Sequence, residues 1–183
     1  MKTKQLNTFY LIIFLFSFAF SFNLHAQVNN WNPDLVKDSK DALAKMIEDT
    51  PKLNTFKSNA YGYVVFPKVT KAGIGIGGAA GKGVVYKSHQ ILGSSKLRQA
   101  SIGLQLGGQQ YSEVIFFENK VSFDKFINGN LKFDAQASAV AITVGASIDV
   151  AYQDGVAVFT RTKGGLMYEA SIGGQHFEFE AMD

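Results

Sequence analysis

From Tyr61 to Tyr86 the chain reads YGYVVFPKVTKAGIGIGGAAGKGVVY, and apolar residues alternate there with small ones at a period of two. Period two belongs to strands, whereas a helix repeats every 3.6 residues. Ile74 and Ile76 fall on one face; Gly73, Gly75 and Gly77 fall on the other. A face of bare glycine lets a bulky neighbour approach the backbone, whether helix, second sheet or ligand. This segment therefore fixes architecture strongly and chemistry weakly.

The rest of the chain divides around it. Asn32 can cap a helix, with Pro33 at its first position and Asp34 in its first turn. Leu35, Ala42, Leu43, Met46 and Ile47 form one stripe of that helix, which ends before Pro51. The stripe can either pack on a sheet or enter a bilayer interface. A short second helix is expected from Pro51 to about Ala60, with Leu53 and Phe56 facing inward. Strands are expected near 61–67, 72–79, 82–87, 99–109 and 112–117. Turns therefore fall at Lys68–Lys71 and again near Lys82. Val114 to Phe117 is apolar on both faces, so that strand is expected to be covered on both. A helix over 119–128 follows, with Val121, Phe123, Phe126 and Ile127 buried and Asn128-Gly129 closing it. Further strands are expected near 137–149, 155–162, 165–173 and 175–180. Asp154-Gly155, Lys163-Gly164-Gly165 and Gly173-Gly174 supply turns between them. Consecutive strands with short connections predict an α+β fold. In it, N-terminal helices pack on a twisted, largely antiparallel sheet with one inserted helix, and closure toward a barrel is left open.

Residues 1–26 read as a secretion signal. Lys2 and Lys4 precede an apolar run from Leu11 to Phe22, and Leu24-His25-Ala26 gives a cleavage site before Gln27. The run is about 12 residues, short of the ~20 that a spanning helix needs. An uncleaved N-terminal anchor is the other reading. Residues 27–32 read as a short flexible N-terminus and 33–183 as one domain. The whole chain carries 18 basic and 15 acidic side chains, net +3. Without its two leader lysines it is close to neutral, which gives no global argument for nucleic acid. The chain has no cysteine, so zinc–thiolate sites, thiol nucleophiles, disulfides and a lipid-modified cysteine are excluded.

Gly73-x-Gly75-x-x-Gly78 matches the dinucleotide fingerprint as a string, but a strand follows where the phosphate-binding helix should start. A phosphate loop at Gly81-Lys82 fails because Ile76 and Gly83 stand where that motif needs Gly and Ser or Thr. His176, Glu178 and Glu180 share one strand face and could hold a divalent metal, but a wet strand face explains them and no fourth ligand is visible. His89 reads as a solvated loop residue beside Ser88. No metal, cofactor or catalytic residue is therefore assigned. Lys68, Lys71 and Lys82 are more suggestive. If their two turns lie at one end of the sheet, three ammonium groups converge near exposed amides, which suits an anionic headgroup. Ordinary solubilising lysines are the competing reading.

The residues Ala60-Tyr61-Gly62-Tyr63-Val64-Val65-Phe66-Pro67-Lys68-Val69 with Lys71-Ala72-Gly73-Ile74-Gly75 resemble the SYLF family. Gly78, Gly81-Lys82-Gly83-Val84, Leu131-Lys132-Phe133, Ala135 to Ala139 and Arg161-Thr162-Lys163-Gly164-Gly165-Leu166 continue the likeness. A Trp-Ser-x-Pro stretch frequent in the family is missing from Leu92 to Ala100, and a Gly-Pro-x-Gly turn is replaced near Thr143-Val144-Gly145. The resemblance implies lipid binding, with actin binding in some fungal members, and no catalytic residues. With a secretion signal, the expectation is a periplasmic or secreted, non-enzymatic protein that attaches to an anionic lipid or membrane surface. Lys68, Lys71 and Lys82 would contact the headgroup, and the backbone at Gly73, Gly75 and Gly78 would allow close approach. Actin binding is not expected, and a protein partner is not identified. A structural or protein-interaction module of the cell envelope is the alternative.

Overall fold

In a computed structural model of the chain, residues 32–103, 108–131, 139–141, 152–162, 165–169 and 174–182 are described. The expected leader (1–26), residues 27–31, most of the strand expected at 137–149 and the Lys163-Gly164 pair lie outside them.

The helices form where the local signals place them. Helix α1 spans Pro33–Asp49, and the Asn32 side chain accepts from the Asp34 and Leu35 amides at 2.9 and 3.4 Å. Helix α2 spans Leu53–Asn59. Helix α3 spans Lys120–Ile127; Asn119 caps it by accepting from the Ser122 amide at 3.1 Å, and Gly129 ends it at φ +68°. Phe123 and Phe126 are buried as expected, but Val121 is 65% exposed. In so short a helix the inward stripe is 123, 126 and 127, and a residue two places earlier points away from it. Among the described residues no helix is long and apolar enough to cross a membrane.

Seven β-segments build one sheet: β1 Gly62–Lys87, β2 Gln90–Gly103, β3 Gln109–Phe117, β4 Ala139–Ala141, β5 Val156–Thr162, β6 Gly165–Glu169 and β7 Gln175–Ala181. Their order is β4-β6-β5-β3-β1-β2-β7, with every pairing antiparallel. The fold is thus α+β. The sheet is strongly curled. Gln175 of β7 donates to the buried Glu113 carboxylate of β3 at 3.1 Å, although several strand spacings of roughly 4.8 Å separate those strands along the sheet. The edge strands β4 and β7 do not pair among the described residues, so no barrel closes.

The long β1 corrects the expected turns. It continues as strand through Lys68–Lys71 and through Lys82, and no turn falls at either place. A one-residue bulge between Phe66 and Val69 takes the first irregularity. Pro67 sits in it, where its missing N–H costs no ladder bond, and the Pro67 carbonyl accepts from Ser112 at 2.8 Å. The two arms of β1 lie side by side in opposite directions. Tyr63 stacks on Tyr86 at 4.7 Å. A Cβ on Gly83 would lie 2.6 Å from the Val65 carbonyl and from the Phe66 ring, and one on Gly81 would lie 3.0 Å from the Lys68 carbonyl. The chain therefore reverses between Lys71 and Gly78. Gly81 and Gly83 serve that close approach of one arm to the other.

The first arm pairs with β3 and the second with β2. β2 begins at Gln90, well before the strand expected at 99–109. Ser88 and His89, both at positive φ (48° and 65°), turn the chain into it. The Asp154-Gly155 turn is as expected, with φ of 50° and 77° and Gln153 bridged to Val156.

A core lies on each face of the sheet. Leu43 and Met46 of α1 pack with Tyr63, Val65, Val84, Tyr86, Val114, Phe116 and Phe159 on one face. The α1 stripe thus packs on the sheet. Phe123 and Phe126 of α3 pack with Val64, Phe66, Ile115, Phe117 and Phe177 on the other. Covered on both sides, Glu113 to Phe117 are all buried, as the two-sided apolar run in β3 predicts. Each such phenylalanine contributes about 1.5–3 kcal/mol by burial.

Candidate functional site

The alternation along β1 decides which expected site residues meet. Val84 and Tyr86 lie in the core under α1, so Lys82, two residues earlier, projects to the same side. Lys82 is exposed and pairs directly across the sheet with Lys96 of β2. Lys68, exposed in the bulge, lies on the neighbouring arm beside Gly81 and also opens to the α1 side. Lys71 does not join them. It pairs with Gln109 and shares the side of Val69, which belongs to the core under α3. The structure thus brings Lys68 and Lys82 together with Lys96 in adjacent strands, and sets Lys71 on the opposite face.

Among the glycines, Gly78 pairs with Ala100, and a Cβ there would meet the Gln99 carbonyl at 2.9 Å. Gly75 pairs with Gly103, and Gly73 lies in the same β1 segment.

Lys68 borders a groove of about 410 Å3 between the middle turns of α1, the bulge of β1, the start of β3 and the end of β5. Asp38, Asp41, Lys45, Ser112 and Arg161 share its lining. Arg161 is held by Asp49 at 2.6 Å, and Asp41 by Lys37 at 2.8 Å. The hydrogen bond and charge of Lys37 keep the Asp41 carboxyl below the usual carboxylate range. Lys45, Lys96 and Arg161 belong to this basic surface, and the sequence alone did not single them out. The strands of Lys96 and Arg161 carry no motif, and only the pairing of β2 with β1 and of β5 with β3 aligns them, while Lys45 comes from α1.

The His176, Glu178 and Glu180 face is engaged otherwise. Arg98 pairs with Glu178 at 3.2 Å, and Lys96 pairs with Glu180. Among the described residues no cluster of His, Cys, Asp and Glu could hold a metal ion. His89 is exposed in the β1–β2 turn. The groups with large upward shifts are Tyr86 and Tyr152, each pushed up to about 12 chiefly by burial. The arrangement offers basic surface and buried phenols, which suits binding.

An open, curled antiparallel sheet with helices on both faces and lysines aligned across adjacent strands places the described residues in the α+β class. Residues 98–181 match the Ysc84 family, described as "Las17-binding protein actin regulator". The match bears out the resemblance of the sequence to this family, also called SYLF. The chain is also 26% identical over 158 residues to Beta cell expansion factor A of Aeromonas veronii, which covers 80% of this chain. The match spans 59% of that relative's length.

Proposed function

We propose that this chain is an exported, non-enzymatic protein that attaches to anionic lipid headgroups. Lys68 and Lys82 make the contact, and the backbone at Gly73, Gly75 and Gly78 allows close approach. The observation that carries this reading is the exposure of Lys68 and Lys82 on adjacent arms of β1, beside Lys96 of β2. Each lysine near a charged membrane surface is worth about 1 kcal/mol, so two give a weak and salt-sensitive attachment. Lys71, on the other face, contributes least.

Co-sedimentation with vesicles of 30% phosphatidylglycerol in phosphatidylcholine tests this. Binding is expected to exceed that to pure phosphatidylcholine at low salt and to fall as salt rises. Lys68→Ala/Lys82→Ala should weaken it roughly 25-fold, the equivalent of about 2 kcal/mol, while Lys71→Ala leaves most of it. Equal sedimentation with both vesicle types sinks the reading. A second reading, a protein-interaction module, draws on the family description, which names Las17 binding and actin regulation. It is favoured if vesicles fail and cross-linking recovers one discrete partner.

A further inference from the structure

The other flank of α1 carries a different groove, of about 440 Å3, which lies in the size range of small-molecule sites. Leu43 and Ile47 of α1 and the stacked pair Tyr63 and Tyr86 of β1 give it apolar walls. Lys40 of α1 and Lys57 of α2 are its cations, and none of its described lining residues is acidic. Neither lysine forms an ion pair with any described residue, in contrast to Lys37, Lys96, Lys120, Arg98 and Arg161.

Tyr86 is the second, independent sign. The residue is only 5% exposed, yet its hydroxyl has no hydrogen-bond partner among the described residues. A buried hydroxyl left without a partner is costly and calls for an explanation, such as a ligand that completes it. A carboxylate is acceptor-only and matches both the phenol O–H and two ammonium groups.

We propose that this groove binds a single long-chain acid, a molecule with one apolar body and one anionic head. The chain lies against Leu43, Ile47 and Tyr63. The head takes Lys40 and Lys57, and the Tyr86 hydroxyl, covered in this structure, donates to it once the ring shifts toward the groove. This site needs neither Lys68 nor Lys82, so it stands apart from the surface attachment proposed above.

The test titrates the full-length protein with 11-dansylaminoundecanoic acid and with its methyl ester. The acid is expected to saturate at one equivalent and to bind at least tenfold more tightly than the ester. Lys40→Ala/Lys57→Ala should remove that preference. Tyr86→Phe should weaken the acid severalfold while raising the thermal unfolding midpoint, a combination that loss of a merely structural hydroxyl does not produce. Equal binding of acid and ester, or acid binding unchanged in both variants, overturns the proposal. Displacement of the probe by dihexanoylphosphatidylglycerol but not by laurate also overturns it, in favour of a phospholipid headgroup. Lys68→Ala/Lys82→Ala separates the two sites: it should weaken vesicle binding roughly 25-fold and leave the dansyl acid bound.

Discussion

The two flanks of α1 are built from one helix and one sheet face, yet they differ in kind. On the flank toward β3 and β5, the lining is polar and much of its charge is already paired. Arg161 is held by Asp49, and Asp41 by Lys37. On the flank toward the Tyr63–Tyr86 stack the walls are apolar, and among the described residues the cations are unpaired and one hydroxyl unanswered. The lesson concerns what a helix stripe can hold apart. Leu43 and Met46 seal the line between the two grooves, and residues one step round the helix decide what each presents. Asp38, Asp41 and Lys45 face one groove, and Lys40, Ala44 and Ile47 the other.

That contrast can be broken at its seam. Met46 is fully buried, so Met46→Ala is expected to cost about 2–5 kcal/mol in urea denaturation. Both flanks should loosen together. A cost near zero would mean that α1 is not the dividing wall.

The apolar flank should be sensitive to alkali. Tyr86 has a folded pKa raised to about 12, mainly by burial and then by neighbouring Tyr63. A phenol that resists ionisation when folded contributes stability that is fully present below its ordinary pKa of about 10. That contribution is lost as pH rises from about 10 toward 12. The melting midpoint should fall over that window, and Tyr86→Phe should flatten the fall. At neutral pH the same substitution should stabilise by up to about 1 kcal/mol, because it removes an unpartnered buried hydroxyl. A melting profile identical to that of the parent between pH 9 and 12 would count against the burial of this phenol.

The polar flank should respond less. Arg161 and Asp49 are partly exposed, so Arg161→Ala is expected to cost about 1 kcal/mol or less at low salt, and less still at high salt. The smallest effect is expected at the exposed Lys37–Asp41 pair, one helical turn apart. Because the Asp41 pKa is lowered, any contribution is present above the ordinary carboxylate range and disappears as the solution is acidified through it. Asp41→Asn should leave the neutral-pH midpoint where it is.

Local chemistry made the helices legible. Asn32-Pro33 and Asn119 both cap helices because their side-chain oxygens meet amides two or three residues on, and that is written within a few letters. The character of β1 was equally legible from its period, but its reversal was not. Lysines near Pro67 and Gly81 look like turn chemistry. In fact a bulge absorbs the first irregularity, and the glycines make room for the opposite arm. β2 was missed over its first half because Ser94, Ser95, Lys96 and Arg98 lack an apolar alternation. Their acidic complement lies some eighty residues later, in β7. Of the expected site, the exposure of Lys68 and Lys82 was readable, whereas the displacement of Lys71 to the other face depends on the bulge. The second groove could not be read at all, since it requires Tyr63 to meet Tyr86 across two arms under a helix.

The late partner of β2 has a consequence for how the molecule assembles. Until residues 175–181 arrive, the outer rim of β2 is an unzipped template open to any passing strand, and intermolecular pairing there is the hazard. Lys96 and Arg98 stand on that rim. In the incomplete chain they are bare like charges that repel a second copy of the same rim; in the finished chain Glu178 and Glu180 neutralise them. The same two cations thus give the bare rim a like charge that opposes edge-to-edge pairing and, once β7 is in place, fasten that strand.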